Sequence, residues 1–317
     1  KEHIELALQS ARESIVLLKN DKILPLNREK IKRIAVIGKL ADKPNTGDKG
    51  SSRVYPPYVI TPLEGLKSLV KNNIDVIYNN GSNIEKVKED VQLADIVIIV
   101  VGYTHKEEGE YVYTKGGDRD SLKLRKEDEV LINSVAQINS KCIVVLEGGS
   151  AINIEGWRNN VPGILMVWYP GMEGGTALAE IIFGVTNPSG KLPISFAKSE
   201  EQLPYFDKEA QEINYDYFHG YWLLDKNDHE ATFPFGHGLS YTTFSYTNLR
   251  IKKQEISKGD SVEIQINIKN TGNRSGMEIV QLYIIYEDSK VERPIKQLKG
   301  FQKISLEPDE VKNISIE

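Results

Sequence analysis

The sequence predicts a doubly wound α/β domain followed by an all-β sandwich, on three observations. Short continuous apolar runs such as Asp95-Ile-Val-Ile-Ile-Val-Val-Gly102 alternate with stretches of helical periodicity, the pattern of a parallel sheet covered on both faces. After Pro193 the pattern changes to an aromatic-rich stretch and then to segments that alternate apolar and polar residues. Within the first half lies one long loop, His105 to Arg119, at the carboxyl end of the most apolar run, where open α/β sheets bind ligands.

Taken in order, residues 4 to 18 place Ile4, Leu8, Ala11, Ile15 and Leu18 at helical spacing, which predicts a helix with one apolar face. Asp21 to Leu26 reads as a turn and Arg33-Ile-Ala-Val-Ile-Gly38 as the first strand. The glycine that ends it opens no G-x-G-x-x-G, and Gly47-Asp-Lys-Gly-Ser-Ser52 has phosphate-loop residues in the wrong order. A nucleotide-binding reading therefore has little support. Asp42 to Pro57 has no periodicity and is long for a connection, as functional loops often are. Thr61-Pro62 with Glu64 predicts a capped helix start. Strands follow at Asp75–Asn79, Asp95–Gly102, Cys142–Leu146 and Gly163–Trp168, with helices over 83–94, 127–138 and 176–183 between and after them. Glu173 is expected to bond the backbone at the start of the last helix. Residues 201–240 read as a connector that packs between domains, and 241–317 as the sandwich, with strands over 244–251, 262–269 and 277–286 and further strand from 304 to 316. That sandwich is expected to be incomplete, with an unpaired edge.

Bulk properties exclude several classes. A formal charge of -5 without any basic block argues against nucleic-acid binding. No run approaches the roughly 20 apolar residues that span a bilayer, and the first residues lack the apolar core of a signal peptide, so a cytoplasmic location is favoured. The single Cys142 lies in a strand pattern and reads as a small core hydrophobe. The five histidines have no partners at zinc spacing, so neither a metal nor another cofactor is expected. Gly148-Gly-Ser-Ala151 follows a strand without forming G-x-S-x-G, which leaves a serine nucleophile unsupported.

The long loop holds Glu107, Glu108, Glu110, Tyr111, Tyr113 and the pair Asp118-Arg119. Solvated carboxylates are the ordinary reading of such a cluster. Its position at a strand end, the glycine between Glu108 and Glu110, and the two tyrosines favour a ligand with hydroxyls and apolar faces. Asp118 and Arg119 could close the loop as a fork-shaped salt bridge.

Val101-Gly-Tyr, Lys106-Glu-Glu-Gly and Gly117-Asp-Arg-Asp-Ser-Leu together resemble the acid/base loop of family 3 glycoside hydrolases, the β-glucosidase and β-xylosidase group. So do Gly50-Ser-Ser-Arg-Val, Thr61-Pro-Leu-Glu-Gly, Trp168-Tyr-Pro-Gly-Met-Glu-Gly-Gly, Asn187-Pro-Ser-Gly-Lys-Leu-Pro and Phe233-Pro-Phe-Gly-His-Gly-Leu-Ser-Tyr-Thr, in the family's order. The resemblance implies an α/β/α sandwich over 1–200, the connector over 201–240 and a fibronectin type III-like domain over 241–317. It implies that Glu108, the glutamate before a glycine, is the general acid/base, with Glu107 and Glu110 close enough to be confused with it. Tyr111 and Arg53 would contact substrate, and Asp118, Arg119 and Glu173 would support the site. A β-linked oligosaccharide or glycoside is the implied ligand. The nucleophile aspartate of the family sits on a (β/α)8 barrel, and no aspartate here has its context. The chain is therefore expected to be a carboxyl-terminal portion, inactive alone and completed by that barrel or by a companion chain; a homodimer is compatible with this. A carbohydrate-binding or scaffold module without chemistry is the rival reading.

Overall fold

A computed structural model describes residues 1–47, 49–108, 119–207, 210–253 and 255–317. Its first domain is a three-layer sandwich. Helix α1 (Glu2–Ser14) leads into β1 (Val16–Asn20) and then β2 (Arg33–Ile37). Alternation continues through α2 (Pro62–Val70), β3 (Asp75–Asn79), α3 (Ile84–Gln92), β4 (Ile96–Gly102), the single turn α4 (His105–Glu108), α5 (Lys126–Ile138), β5 (Cys142–Glu147), β6 (Gly163–Trp168) and α6 (Gly174–Ile182).

The sheet order is β1-β6-β5-β4-β2-β3, parallel except for β1. From β2 the chain steps outward to β3, then returns to the other side of β2 and continues through β4, β5 and β6. This reversal creates a topological switch point between the carboxyl ends of β2 and β4. All seven residues of β4 are buried, which a strand at the centre of a doubly covered sheet requires.

Strand alternation divides the interior into two cores. Ile34, Val36, Ile96, Ile98 and Val100 face Ala11, Leu63, Leu66 and Leu178 on α1, α2 and α6. Ala35, Ile37, Val97, Ile99 and Val101 face Val87, Val91, Leu131, Ile132 and Val135 on α3 and α5. Cys142 lies in this second core, where burial pushes its thiol up to about 11 and leaves it protonated.

The helix predicted over 4–18 ends at Ser14. Ile15 is extended (φ -61°, ψ 128°), and Val16-Leu-Leu-Lys-Asn forms the antiparallel edge strand against β6. The run Ile15-Val-Leu-Leu is apolar at every position, so it fits either period, and burial on both sides of the sheet decides for the strand. A bidentate ion pair then fixes α1 on the sheet: Arg12 Nε and Nη2 lie 2.6 and 2.7 Å from the Glu180 carboxylate on α6.

Helix α2 starts as its sequence dictates. Thr61 accepts from Glu64 N while the Glu64 carboxylate accepts from Thr61 N, a complete capping box. Here α2 and α6 approach through glycines. A Cβ on Gly175 would lie 2.1 Å from Thr61 O, and one on Gly65 2.0 Å from Gly175 O. Gly175→Ala should therefore destabilise the protein by roughly 2–3 kcal/mol, because the clash is with backbone that cannot repack. Urea unfolding checks this; a midpoint equal to wild type would mean that the helices can separate freely.

After a short ladder of β7 (Phe196–Ala197) and β8 (Ala231–Phe233), flanking α7 (Gly220–Lys226), the chain enters the antiparallel part. Strands β9 (Phe244–Ile251), β10 (Ile264–Asn270) and β13 (Val311–Ile316) form one sheet, β11 (Gly276–Ile284) and β12 (Gln297–Leu306) the other. Ile268, Val280, Ile304, Leu306, Ile314 and Ile316 fill the space between them. The stretch 304–316, read as continuing strand, is broken by a turn between β12 and β13. Edge strands are present, as expected: among the described residues β9 and β13 each pair on one side, and β11 and β12 pair only with each other.

From Phe218 onward the aromatic connector is packing material. Tyr221 stacks on Phe235 with centroids 4.9 Å apart, meets Tyr283 of β11 edge-on, and its hydroxyl accepts from Leu298 N of β12 at 3.0 Å. Asn187 bonds Ser275 O, Ser240 Oγ and Tyr241 N, and Lys191 pairs with Glu278 at 3.3 Å.

A carboxylate cluster at the carboxyl ends of β4, β5 and β6

The candidate site is assembled where three parallel strands end. Leaving β4, the chain turns through Gly102, whose φ of +138° and whose missing Cβ, which would sit 1.9 Å from Glu147 O, both demand glycine. One helical turn follows. The Glu107 carboxylate reaches back to Thr104 N (2.9 Å) and Thr104 Oγ1 (2.8 Å), and Arg125 Nη1 approaches its other oxygen at 3.0 Å. Although burial alone would raise it, hydrogen bonds from Thr104 and the charge of Arg125 hold Glu107 below the usual carboxylate range. Glu107 is thus committed to starting the turn.

Glu108, the next residue on the turn, faces a different surface. Its Oε2 accepts from Gly149 N and from the Tyr169 hydroxyl, both at 2.6 Å, and its Oε1 accepts from Ser150 Oγ at 3.0 Å. Arg119 Nε lies 3.3 Å from the same Oε1, and both side chains are about nine-tenths buried (8% and 11% exposed). Four donors from β5, β6 and the far end of the long loop therefore converge on one carboxylate. The fit around Gly149 is close, since a Cβ there would lie 3.2 Å from the Tyr169 ring and 3.4 Å from Glu108 Oε2.

Tyr169 is aimed by strain at its neighbour. Trp168 ends β6 at φ 59°, a left-handed conformation that costs a bulky residue about 1 kcal/mol or more. Burial, together with the Glu108 carboxylate, raises the Tyr169 phenol and keeps it a hydrogen-bond donor.

Arg119 is held from several sides. Its guanidinium carbon lies 4.2 Å above the Tyr103 ring, and Nη2 donates to Ser150 Oγ and to Ala151 O, the latter at 3.0 Å. Its Nη1 is buried without a hydrogen-bond partner among the described residues. Below the cluster lies a second carboxylate. Glu147 is 2% exposed, its Oε2 accepts from Asn45 Nδ2 at 2.7 Å, and burial pushes it up to about 8. The same amide donates to Tyr103 O at 2.9 Å, so the loop that leaves β2 crosses the switch point and fastens onto β4 and β5.

The predicted site residues meet different fates. Glu108 and Arg119 stand together. Glu110, Tyr111 and Asp118 lie outside the described residues. Arg53 sits on the exposed loop after β2, its guanidinium carbon 4.4 Å over the Tyr55 ring. Glu173 departs from expectation: its side chain makes no backbone cap, and its two oxygens instead accept from Tyr58 OH (2.5 Å) and Thr176 Oγ1 (2.7 Å). A neighbouring hydroxyl and a phenol from the loop before α2 outcompete the backbone. Sequence reasoning missed Gly149, Ser150 and Tyr169 as partners of Glu108. Their only signal was position, since each lies just past the end of a strand in the same sheet. Among the described residues no group of His, Cys, Asp and Glu could hold a metal ion, and no helix is long and apolar enough to cross a membrane.

Fold and site together define an α/β/α sandwich that presents a held carboxylate at its strand ends, joined to a small β-sandwich. Residues 15–241 match the family model described as the glycosyl hydrolase family 3 C-terminal domain, and 278–317 match that of the fibronectin type III-like domain. The chain belongs to glycoside hydrolase family 3. It is 37% identical over 328 residues to a beta-xylosidase of Formosa agariphila, covering 99% of this chain and 44% of that protein. It is 34% identical to thermostable beta-glucosidase B of Acetivibrio thermocellus, again over 99% of this chain and over 42% of the relative. The beta-D-glucoside glucohydrolase of Trichoderma reesei superposes with a TM-score of 0.92 at 27% identity, over 99% of this chain and 49% of that one. The chain thus spans less than half the length of these relatives.

Proposed function

We propose that this chain is the acid/base-bearing portion of a retaining β-glycosidase that releases terminal β-D-glucosyl or β-xylosyl residues. The observation that carries the proposal is the pair of adjacent glutamates on one helical turn at the carboxyl end of the central strand. One, Glu107, is used up in building the turn. The other, Glu108, is held at a fixed place by Gly149, Ser150, Tyr169 and Arg119.

The chemistry follows from that carboxyl group and a second one about 5 Å away. In the first step a nucleophile carboxylate attacks the anomeric carbon while the loop carboxyl gives its proton to the departing glycosidic oxygen. In the second step the same loop group, now a carboxylate, takes a proton from water as its oxygen attacks the glycosyl-enzyme bond. The product keeps its β configuration and both carboxyl groups return to their first state. The nucleophile is contributed from outside these 317 residues, by the barrel that the family resemblance implies.

Glu108 is the donor in this reading. A second reading is favoured by one observation: Glu108 is paired with Arg119 and accepts from three further donors, an arrangement that suits an anchor. Glu108 would then hold the loop and Glu110 would give the proton. In either case the full-length enzyme should hydrolyse aryl β-glucosides or β-xylosides and liberate the β anomer first, read by proton NMR before mutarotation. An α anomer as first product, or a full-length protein without turnover on either sugar, would overturn the proposal in favour of a non-catalytic module.

A further inference from the structure

Beside the carboxylate cluster runs a groove of about 640 Å³, inside the size range of small-molecule sites. One wall is the return of the long loop, Arg119 to Leu122. The other is the segment from Glu200 to Asp207, which leads out of the α/β domain. Glu200 pins the walls together, because its Oε1 accepts from both Ser121 Oγ and Leu122 N at 2.6 Å. Its own segment is fixed by a capping box between Ser199 and Gln202. The groove is therefore held in shape by the fold.

Two features of its lining are unusual for a surface. Tyr205 is 84% exposed and Phe206 51% exposed, adjacent aromatics following Leu203 and Pro204, so that most of the first ring and half of the second face solvent. Glu201 and Asp207 line the same groove as carboxylates. Flat aromatic faces next to oxygen acceptors suit one ligand class in particular, pyranose rings, which carry C–H faces for stacking and a rim of hydroxyl donors. Exposed aromatics that served an apolar partner would not need acceptors in their midst.

The groove is also continuous with the cluster through a single side chain. Arg119 lines it and pairs with Glu108 at 3.3 Å. Resting on the proposed acid/base role of the loop, we infer that the Tyr205–Phe206 shelf is a leaving-group subsite, binding the sugar residues on the far side of the scissile bond. The loop that protonates the glycosidic oxygen stands between the sugar being cleaved and the rest of the chain, so an oligosaccharide extends along whatever adjoins that loop. In this domain the adjoining surface is the groove.

The test uses the full-length enzyme and the double variant Tyr205→Ala/Phe206→Ala. Side chains this exposed can be truncated without opening the core, and an unchanged melting temperature verifies it. Substrates are cellotriose and xylotriose, set against β-glucosyl and β-xylosyl fluoride, whose leaving group is one ion that needs no subsite. The shelf predicts that kcat/KM for the trisaccharide falls on the order of tenfold, mainly through KM, while the fluoride is processed at the wild-type rate. Equal losses on both substrates, or no loss on the trisaccharide, would overturn it. A full-length enzyme inert towards both fluorides would instead remove the glycosidase reading. Calorimetric titration with the trisaccharides then decides the shelf separately: binding that the double variant loses upholds it, and equal or absent binding overturns it.

Discussion

In the full-length enzyme, Glu108→Gln should lower kcat/KM on disaccharides by about 10²- to 10⁴-fold, the usual worth of a positioned general acid. Substrates with activated aryl leaving groups should lose much less in the first step, since those groups depart without a proton. Added azide should then restore turnover and yield a β-glycosyl azide, because a small anion needs no general base to attack the glycosyl-enzyme. Glu110→Gln should show none of this. The opposite assignment, with azide rescuing Glu110→Gln alone, would make Glu108 an anchor. Under either assignment Glu108→Gln should lower thermal stability, since it leaves Arg119 buried without its counter-charge. Chemical rescue therefore decides between them, because it follows the donor.

Glu147→Gln should stabilise the protein in alkaline solution and scarcely change it in acid. The folded chain holds the Glu147 proton up to about pH 8, because burial opposes its charge and one amide donor offsets only part of that cost. An unfolded chain releases the same proton near pH 4.3. Between these values the folded state binds more protons than the unfolded state, so stability falls as pH rises, and above about 8 the loss is complete. Glutamine keeps the acceptor for Asn45 and cannot ionise. The variant should match wild type near pH 4 and exceed it by roughly 5 kcal/mol at pH 8.5. Urea unfolding at the two pH values measures the difference. A gap of equal size at both would mean that Glu147 is ionised in the fold and neutralised by a neighbour, for which Lys43 is the candidate, since its charge acts on Glu147.

Much of the fold was legible because its signals are local. Continuous runs such as Ile96 to Gly102, short and rich in β-branched residues, read as strands buried on both faces, and Thr61-Pro-Leu-Glu fixes a helix start through hydrogen bonds within four residues. Ile15 to Leu18 was illegible for the opposite reason. Four apolar residues in a row satisfy both periods, and only the empty edge of β6 chooses between them. In the site, Glu108 stood out through the residues around it in sequence. Its partners Gly149, Ser150 and Tyr169 lie more than forty positions away and meet it only because β4, β5 and β6 end side by side. Asn45 and Glu147 belong to the same class of contact. Glu173 illustrates a third limit: a carboxylate at a helix start has several donors within reach, and sequence does not rank a backbone N–H against Tyr58 and Thr176.

The antiparallel strand β1 also bears on how this module can be cut from a longer chain. It covers the hydrogen-bonding edge of β6, while α1 is riveted over the same side by Arg12 and Glu180. A version beginning after residue 20 would keep every catalytic candidate and yet expose β6 as a long apolar template for pairing with its own copies. Segment 1–20 therefore acts as a guard against self-association, and any excision or fusion of this module should place its junction ahead of α1.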